Sequence, residues 1–193
     1  MGYLLLGLIL FFATHALPMV PAWRERVRLL LSANVYRLAF SLLSAVALIL
    51  IVVGYGQMRW HARLDPQIWT PPAGLRHLTM LLMLPAMVLL VAAYVPSRIR
   101  DAAQHPMLAG VALWALAHLL VNGDLASVIL FGGFLVWALV DRVSVGRRRA
   151  LGPLDARTGG ASGDITAALG GLAVYLLMIF WGHNWLIGVP LLP

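Results

Sequence analysis

His105-Pro-Met-Leu-Ala-Gly110-Val-Ala-Leu-Trp114-Ala-Leu-Ala-His118-Leu-Leu-Val-Asn122-Gly-Asp124 is the stretch that decides how this chain folds. Proline at the first helical position and an Asn-Gly-Asp turn at the far end are the punctuation of a helix. Between them the residues are apolar, as in a membrane span, yet one is ionisable: His118. Ionisable groups within a bilayer are costly and usually face a partner, a cavity or a cofactor. That makes His118 the first candidate functional residue.

Five further apolar runs accompany this one. Together they cover about 2–20, 35–56, 76–95, 106–121, 125–141 and 165–183, each near the roughly 20 residues that a helix needs to cross the hydrocarbon core. The 193 residues are 62% hydrophobic with a mean hydropathy of +0.89, far above a soluble domain. The expected fold is all-α, a polytopic transmembrane helical bundle of about six spans forming a single domain over 1–193. In the first run the arginines (Arg24, Arg26, Arg28) follow the apolar segment instead of preceding it, so it is expected to be a retained span and not a secretory signal. Pro85 predicts a kink in the third span, and Asp164 a cap on the last. Asn122-Gly123-Asp124 predicts a helical hairpin, and the Gly-, Pro- and Arg-rich stretch 142–164 a mobile loop.

All 14 basic residues are arginine. With six spans, the connections 21–34, 96–105 and 142–164 lie on one side and hold ten of them, against Arg59, Arg63 and Arg76 opposite. The positive-inside rule then puts the Arg-rich loops in the cytoplasm and both termini outside. Trp60, Trp69, Trp181 and Trp185 fall near the outer interface, as belt residues should. The net charge of +7 is divided among short loops. That excludes nucleic acid as a partner and suits the lipid bilayer, with anionic headgroups at the Arg-rich loops. With no cysteine, disulfides, thiolate catalysis, iron–sulfur clusters and covalent c-type haem are excluded.

His15, in Phe11-Phe12-Ala13-Thr14-His15, is a second histidine inside an apolar run. Haem b requires imidazole ligands for iron and an apolar pocket for its macrocycle; interhelical hydrogen bonding is the other use of such histidines. Helical spacing places Trp114, His118 and Asn122 on one stripe, an aromatic ring beside a candidate ligand. By rise per residue, His15 lies roughly 8 Å and His118 roughly 20 Å from the Arg-rich face. His105 matches His15 better in depth, yet a helix start suits it to capping. Arg37 shares a face with Ser41 and Ser44; it suits a haem propionate or snorkelling to headgroups. His61, His77 and His183 belong near the outer surface, where interfacial placement outweighs a Zn²⁺ or Cu²⁺ site. The Met80, Met83 and Met87 stripe reads as packing.

These pieces resemble the NnrU family of bacterial membrane proteins, related to zeta-carotene isomerases of plants and cyanobacteria. The resemblance runs over nearly the whole chain: Phe12-Ala-Thr-His15, Tyr36-Arg37-Leu-Ala-Phe40-Ser41 with Ser44, and His105-Pro106 with Gly110, Trp114 and His118. It continues in Asn122-Gly123-Asp124 and the closing His183-Asn-Trp-Leu-Ile-Gly188-Val-Pro190. The resemblance implies a haem b protein of the bacterial inner membrane, linked to nitric oxide and denitrification. It makes His15 and His118 the proposed iron ligands; the residues themselves add His105 in reserve and Trp114 and Arg37 at the cofactor. In the isomerases a cysteine three residues before the second histidine exchanges with it as a ligand; here that position is Ala115, which argues against isomerase activity. Three readings stand open: a haem protein with a redox or gas-linked role and a respiratory partner, a membrane enzyme acting on an apolar polyene, and a cofactor-free assembly or transport component.

Overall fold

The computed structural model describes residues 1–61, 63–149, 154 and 158–192. Among these the chain is all-α. In chain order the helices are α1 (Gly2–Ala16), α2 (Pro21–Leu31), α3 (Ala33–Arg59), α4 (Leu75–Ala92), α5 (Arg98–Ala103), α6 (Pro106–Leu119), α7 (Leu125–Arg148), α8 (Ala161–Leu177) and α9 (His183–Ile187). A 3₁₀ turn, Leu17–Met19, follows α1, and a π turn, Met178–Gly182, joins α8 to α9.

Five segments are long and apolar enough to cross a membrane: Gly2–Met19, α3, α4, α7 and Ala161–Ile187. The sixth expected span, 106–121, is shorter than its hydropathy suggests. Helix α6 has 14 residues, about 21 Å at 1.5 Å per residue, against a core of about 30 Å. It ends at Leu119 because the Asn122-Gly123-Asp124 turn takes the chain out of helical register.

Three local expectations are corrected. The connection 21–34 is not a loop: Pro21 starts α2, and Arg28 pairs with Glu25 at 3.4 Å across one turn. The stretch 142–164 opens as helix, since α7 runs to Arg148, which binds Asp141 at 3.2 Å and Ser144 at 3.1 Å on its own helix. Much of the rest of that stretch, Arg157 included, lies outside the described residues. Asp164 does not cap α8, whose N-cap is Gly160. It reaches instead to α5, accepting from Arg98 Nε at 2.5 Å and the Ile99 amide at 3.2 Å. Helix α4 runs on through Pro85.

The chain forms two compact units, Met1–Pro71 with Asn122–Trp137, and Pro72–Val121 with Ala138–Pro193. In the first, α1 packs on α3 through glycines. A Cβ on Gly7 would lie 2.7 Å from the Ile51 amide and 2.8 Å from the Ala47 carbonyl, and one on Gly54 would collide with the Leu4 backbone. Small residues permit such approach where lipid supplies no hydrophobic drive for helices to associate. At the far end of this unit, the loop after α3 locks onto the start of α7. The Ile68 and Trp69 amides donate to the Gly123 carbonyl, at 2.7 and 3.2 Å, and the Leu125 amide donates to Pro66 at 3.0 Å. Two carboxylates then share the exposed amides of α7: Asp65 accepts from Ala126 at 2.7 Å and Asp124 from Ser127 at 2.9 Å. These are the orphan donors of a helix N-terminus.

In the second unit α4 packs against both α6 and α8. Gly110 of α6 lies against the Ala86 carbonyl and the Leu90 side chain, and Gly171 of α8 against the backbone of Val88. Thr79 donates to the Ala117 carbonyl at 3.0 Å and Tyr175 to the Met80 carbonyl at 3.1 Å. Ser97 caps α5 through the Arg100 amide at 3.1 Å.

Two measurements check this packing. Gly54→Val should wedge α1 from α3 and lower unfolding stability in detergent by about 1–3 kcal/mol, the range for overpacking. Gly56→Ala, one turn-face away with open space around it, should leave stability nearly unchanged. The second concerns pH. Burial, reinforced by the neighbouring Asp124 carboxylate, pushes the Asp65 carboxyl above its usual value, and the Ala126 amide only partly offsets this. The folded state then holds this proton more tightly than the unfolded chain. Asp65 therefore opposes folding at neutral pH, and that opposition fades as pH falls through its raised pKa. The unfolding temperature of wild type relative to Asp65→Asn should rise on acidification from neutral toward the ordinary carboxylate range. A difference independent of pH would contradict this account.

Candidate functional site

His15 sits on the last turn of α1, half-buried, in the first unit. Its Nδ1 lies 2.9 Å from the Phe11 carbonyl one turn back. A carbonyl only accepts, so Nδ1 carries a proton, and in the neutral ring the lone pair is then on Nε2. The imidazole stacks on the Phe11 ring at 3.9 Å and 16°, with Phe40 of α3 at 5.0 Å and Trp137 of α7 at 5.8 Å and 89°. Phe12 and Phe134 continue the cluster: Phe12 lies 5.3 Å from Phe134 and 6.3 Å from Trp137. Gly133 makes room for it, since a Cβ there would come 3.0 Å from the Phe12 ring. The Trp137 indole Nε1 is buried and has no hydrogen-bond partner among the described residues.

His118 belongs to the second unit, near the end of α6. Its Nδ1 lies 2.8 Å from the Trp114 carbonyl, which selects the same tautomer as in His15, and its ring lies 5.1 Å from the Trp114 ring. The Trp114–His118 half of the expected stripe is thus present. Helix α6 ends at Leu119, before Asn122. Within the same unit, His183 lies near His118. Its Nδ1 is fixed at 2.7 Å from the Val189 carbonyl, beyond the left-handed Gly188 that turns the chain back.

The other candidates are dispersed. His105 is the N-cap residue of α6, but its side chain makes no capping bond. Burial, then the nearby Arg142 guanidinium, holds its imidazole below the usual range and neutral at pH 7. Arg37 is exposed, one turn before Phe40. His61 is exposed and bonds the Gln57 carbonyl at 3.0 Å, and His77 is exposed. Among the described residues no three or more His, Cys, Asp or Glu side chains gather as a metal site.

The aromatic walls around His15 and the approach of His183 to His118 were not read from the sequence. The first had a signal: Phe11 stands one turn before His15, and Phe134 stands three residues before Trp137, so each pair shares a helix face. The second had none, because 65 residues separate the two histidines and only packing on α4 places them in one unit.

An all-α chain with five membrane-length apolar helices, and with imidazoles held inside its apolar helical segments, is an integral membrane protein. It belongs to the NnrU family: the family model described as NnrU protein matches residues 3–191, nearly the whole chain. No curated protein and no solved structure gives a match.

Proposed function

We propose that this protein binds haem b non-covalently, with His15 and His118 as its iron-ligand candidates, and serves a redox or nitric-oxide-linked step of denitrification alongside a respiratory partner. One observation carries the reading: both intramembrane imidazoles spend Nδ1 on a carbonyl of their own helix. That is the arrangement by which metal-ligating histidines fix their tautomer and orient the ring. The donor chemistry fits the group, since two imidazoles flanked by aromatic faces match haem iron and its apolar macrocycle. When bound, haem supplies one-electron exchange and an iron coordination site for which nitric oxide competes. The chain's own residues then do the rest. Phe11 and Trp114 hold the rings in place, Arg37 offers a guanidinium to a propionate, and His105 stands as the reserve ligand. Ala115 is fully buried and carries no sulfur, so a polyene isomerase that relies on an exchangeable thiolate is disfavoured.

Haem content and Soret absorbance of the detergent-purified protein test the reading. His15→Ala and His118→Ala should each lower haem occupancy at least roughly ten-fold, since loss of a ligand's orienting partner alone costs that much. His61→Ala should not. Wild-type absorbance in both variants would remove the assignment and leave His105 to be examined.

The proposal places the chain in a bacterial inner membrane with both termini outside. The arginine asymmetry supports this. Exposed α2 lies on the Arg-rich side and Gly74 on the other. Glu25→Cys in this cysteine-free chain should therefore resist membrane-impermeant thiol reagents in intact cells, while Gly74→Cys reacts. The reverse pattern would invert the topology. Anionic headgroups are assigned chiefly to α2. Arg98, Arg100, Arg142 and Arg148 have protein partners in Asp164, Asp101, the Ala103 carbonyl and Asp141. Helix α2 instead exposes Arg24 and Arg26, with Arg28 paired to Glu25, beside Trp23, Leu29 and Leu30. That is the make-up of a helix lying in the membrane interface.

A further inference from the structure

Among the described residues the least explained polar atom is the indole nitrogen of Trp137, which is buried and unpartnered. Buried donors in native structures are nearly always paired, and leaving one unmade costs about 1–3 kcal/mol. The rings of Phe11, Phe12, His15 and Phe134 stand around the indole, and an aromatic edge is no acceptor. The nearby Phe11 carbonyl is already engaged by His15 Nδ1 at 2.9 Å. A phenylalanine would fill the same place without an orphan N–H. The indole is therefore the choice to explain, and an acceptor arriving with a ligand explains it.

Position narrows the kind of acceptor. Trp137 stands one helical turn before Asp141-Arg142, about 6 Å along the axis, close to the charged end of α7. His15 is one residue from the end of α1, and Phe40, 5.0 Å from the His15 ring, stands one turn after Arg37 at the same end of α3. The imidazole and the indole N–H share one aromatic cluster, and a guanidinium follows on the adjoining turn. A flat apolar body against the rings with an acid arm toward the interface satisfies all three.

We infer that Trp137 Nε1–H is a ligand-binding donor that engages a carboxylate of the planar ligand seated at His15, with Arg37 attracting the same acidic edge from the adjacent turn. For haem, the ligand of the reading above on which this inference rests, that carboxylate is a propionate.

The test uses the full chain in nanodiscs, labelled with ¹⁵N at its seven tryptophans. Trp137→Phe, which keeps a ring and removes the N–H, identifies the Trp137 indole signal by its loss. Zinc protoporphyrin IX, diamagnetic and bearing both propionates, should move that signal downfield; its dimethyl ester should not. In optical titrations Trp137→Phe should bind haem roughly ten-fold more weakly, the scale of one charge-assisted hydrogen bond, and bind the haem dimethyl ester as wild type does. If Trp137→Phe does not fold, wild-type affinity for acid against ester decides, with roughly ten-fold tighter binding of the acid expected. Equal affinities, an unmoved signal on porphyrin binding, or a signal already shifted by lipid carbonyls before addition would each overturn the inference while leaving haem binding intact. Absence of any porphyrin binding to wild type removes the haem reading and this inference together, and is recognised by an unchanged Soret band.

Discussion

Backbone polarity in an apolar solvent is the constraint on which the rest depends. Lipid offers no hydrogen bonds, so each N–H and C=O must find its partner within the chain, and the helix is the element that manages this locally. Side-chain donors in the apolar segments obey the same rule. Thr14, Ser44, His15 and His118 all turn back to a carbonyl of their own helix. For the two histidines this economy has a chemical by-product: it decides that Nδ1 carries a proton.

Where helices end, the rule becomes harder to meet, and there the structure spends its carboxylates. The first turn of α7 takes two, Asp65 from a distant loop and its own Asp124. The amides at the start of α5 take Ser97 and Asp164. Arginines follow suit: several that a charge count assigns to lipid are bound to protein acceptors, while Arg24 and Arg26 of α2 stay exposed. Counting charges by loop therefore says little about contacts.

Close helix approach depends on what is missing. Gly7 and Gly54 in one unit, and Gly110 and Gly171 in the other, let backbones meet where any side chain would hold them apart. Gly133 does the same for a ring, admitting Phe12 beside Phe134 and Trp137. The aromatic surroundings of His15 are thus built by a glycine as much as by the aromatics, and this couples the packing of α1 on α7 to the chemistry of the imidazole.

What the sequence by itself determined was whatever depends on composition and local periodicity. The membrane class, the helical nature of every apolar run, the start of α6 at Pro106 and the Trp114–His118 pair all follow from residues within a few turns of one another. Helix ends were less legible. Helix α2 and the extension of α7 to Arg148 are polar helices, invisible to hydropathy, and α6 stops short because a turn intervenes. Tertiary structure alone decided the long-range partners: Asp164 with α5 instead of α8, Asp65 with α7, Trp137 beside His15, and His183 near His118. The physical reason is common to all of them. Hydropathy reports a residue's preference for lipid or water, whereas these contacts depend on which helix face meets which, and that is set by small residues and loop hydrogen bonds far away in the chain.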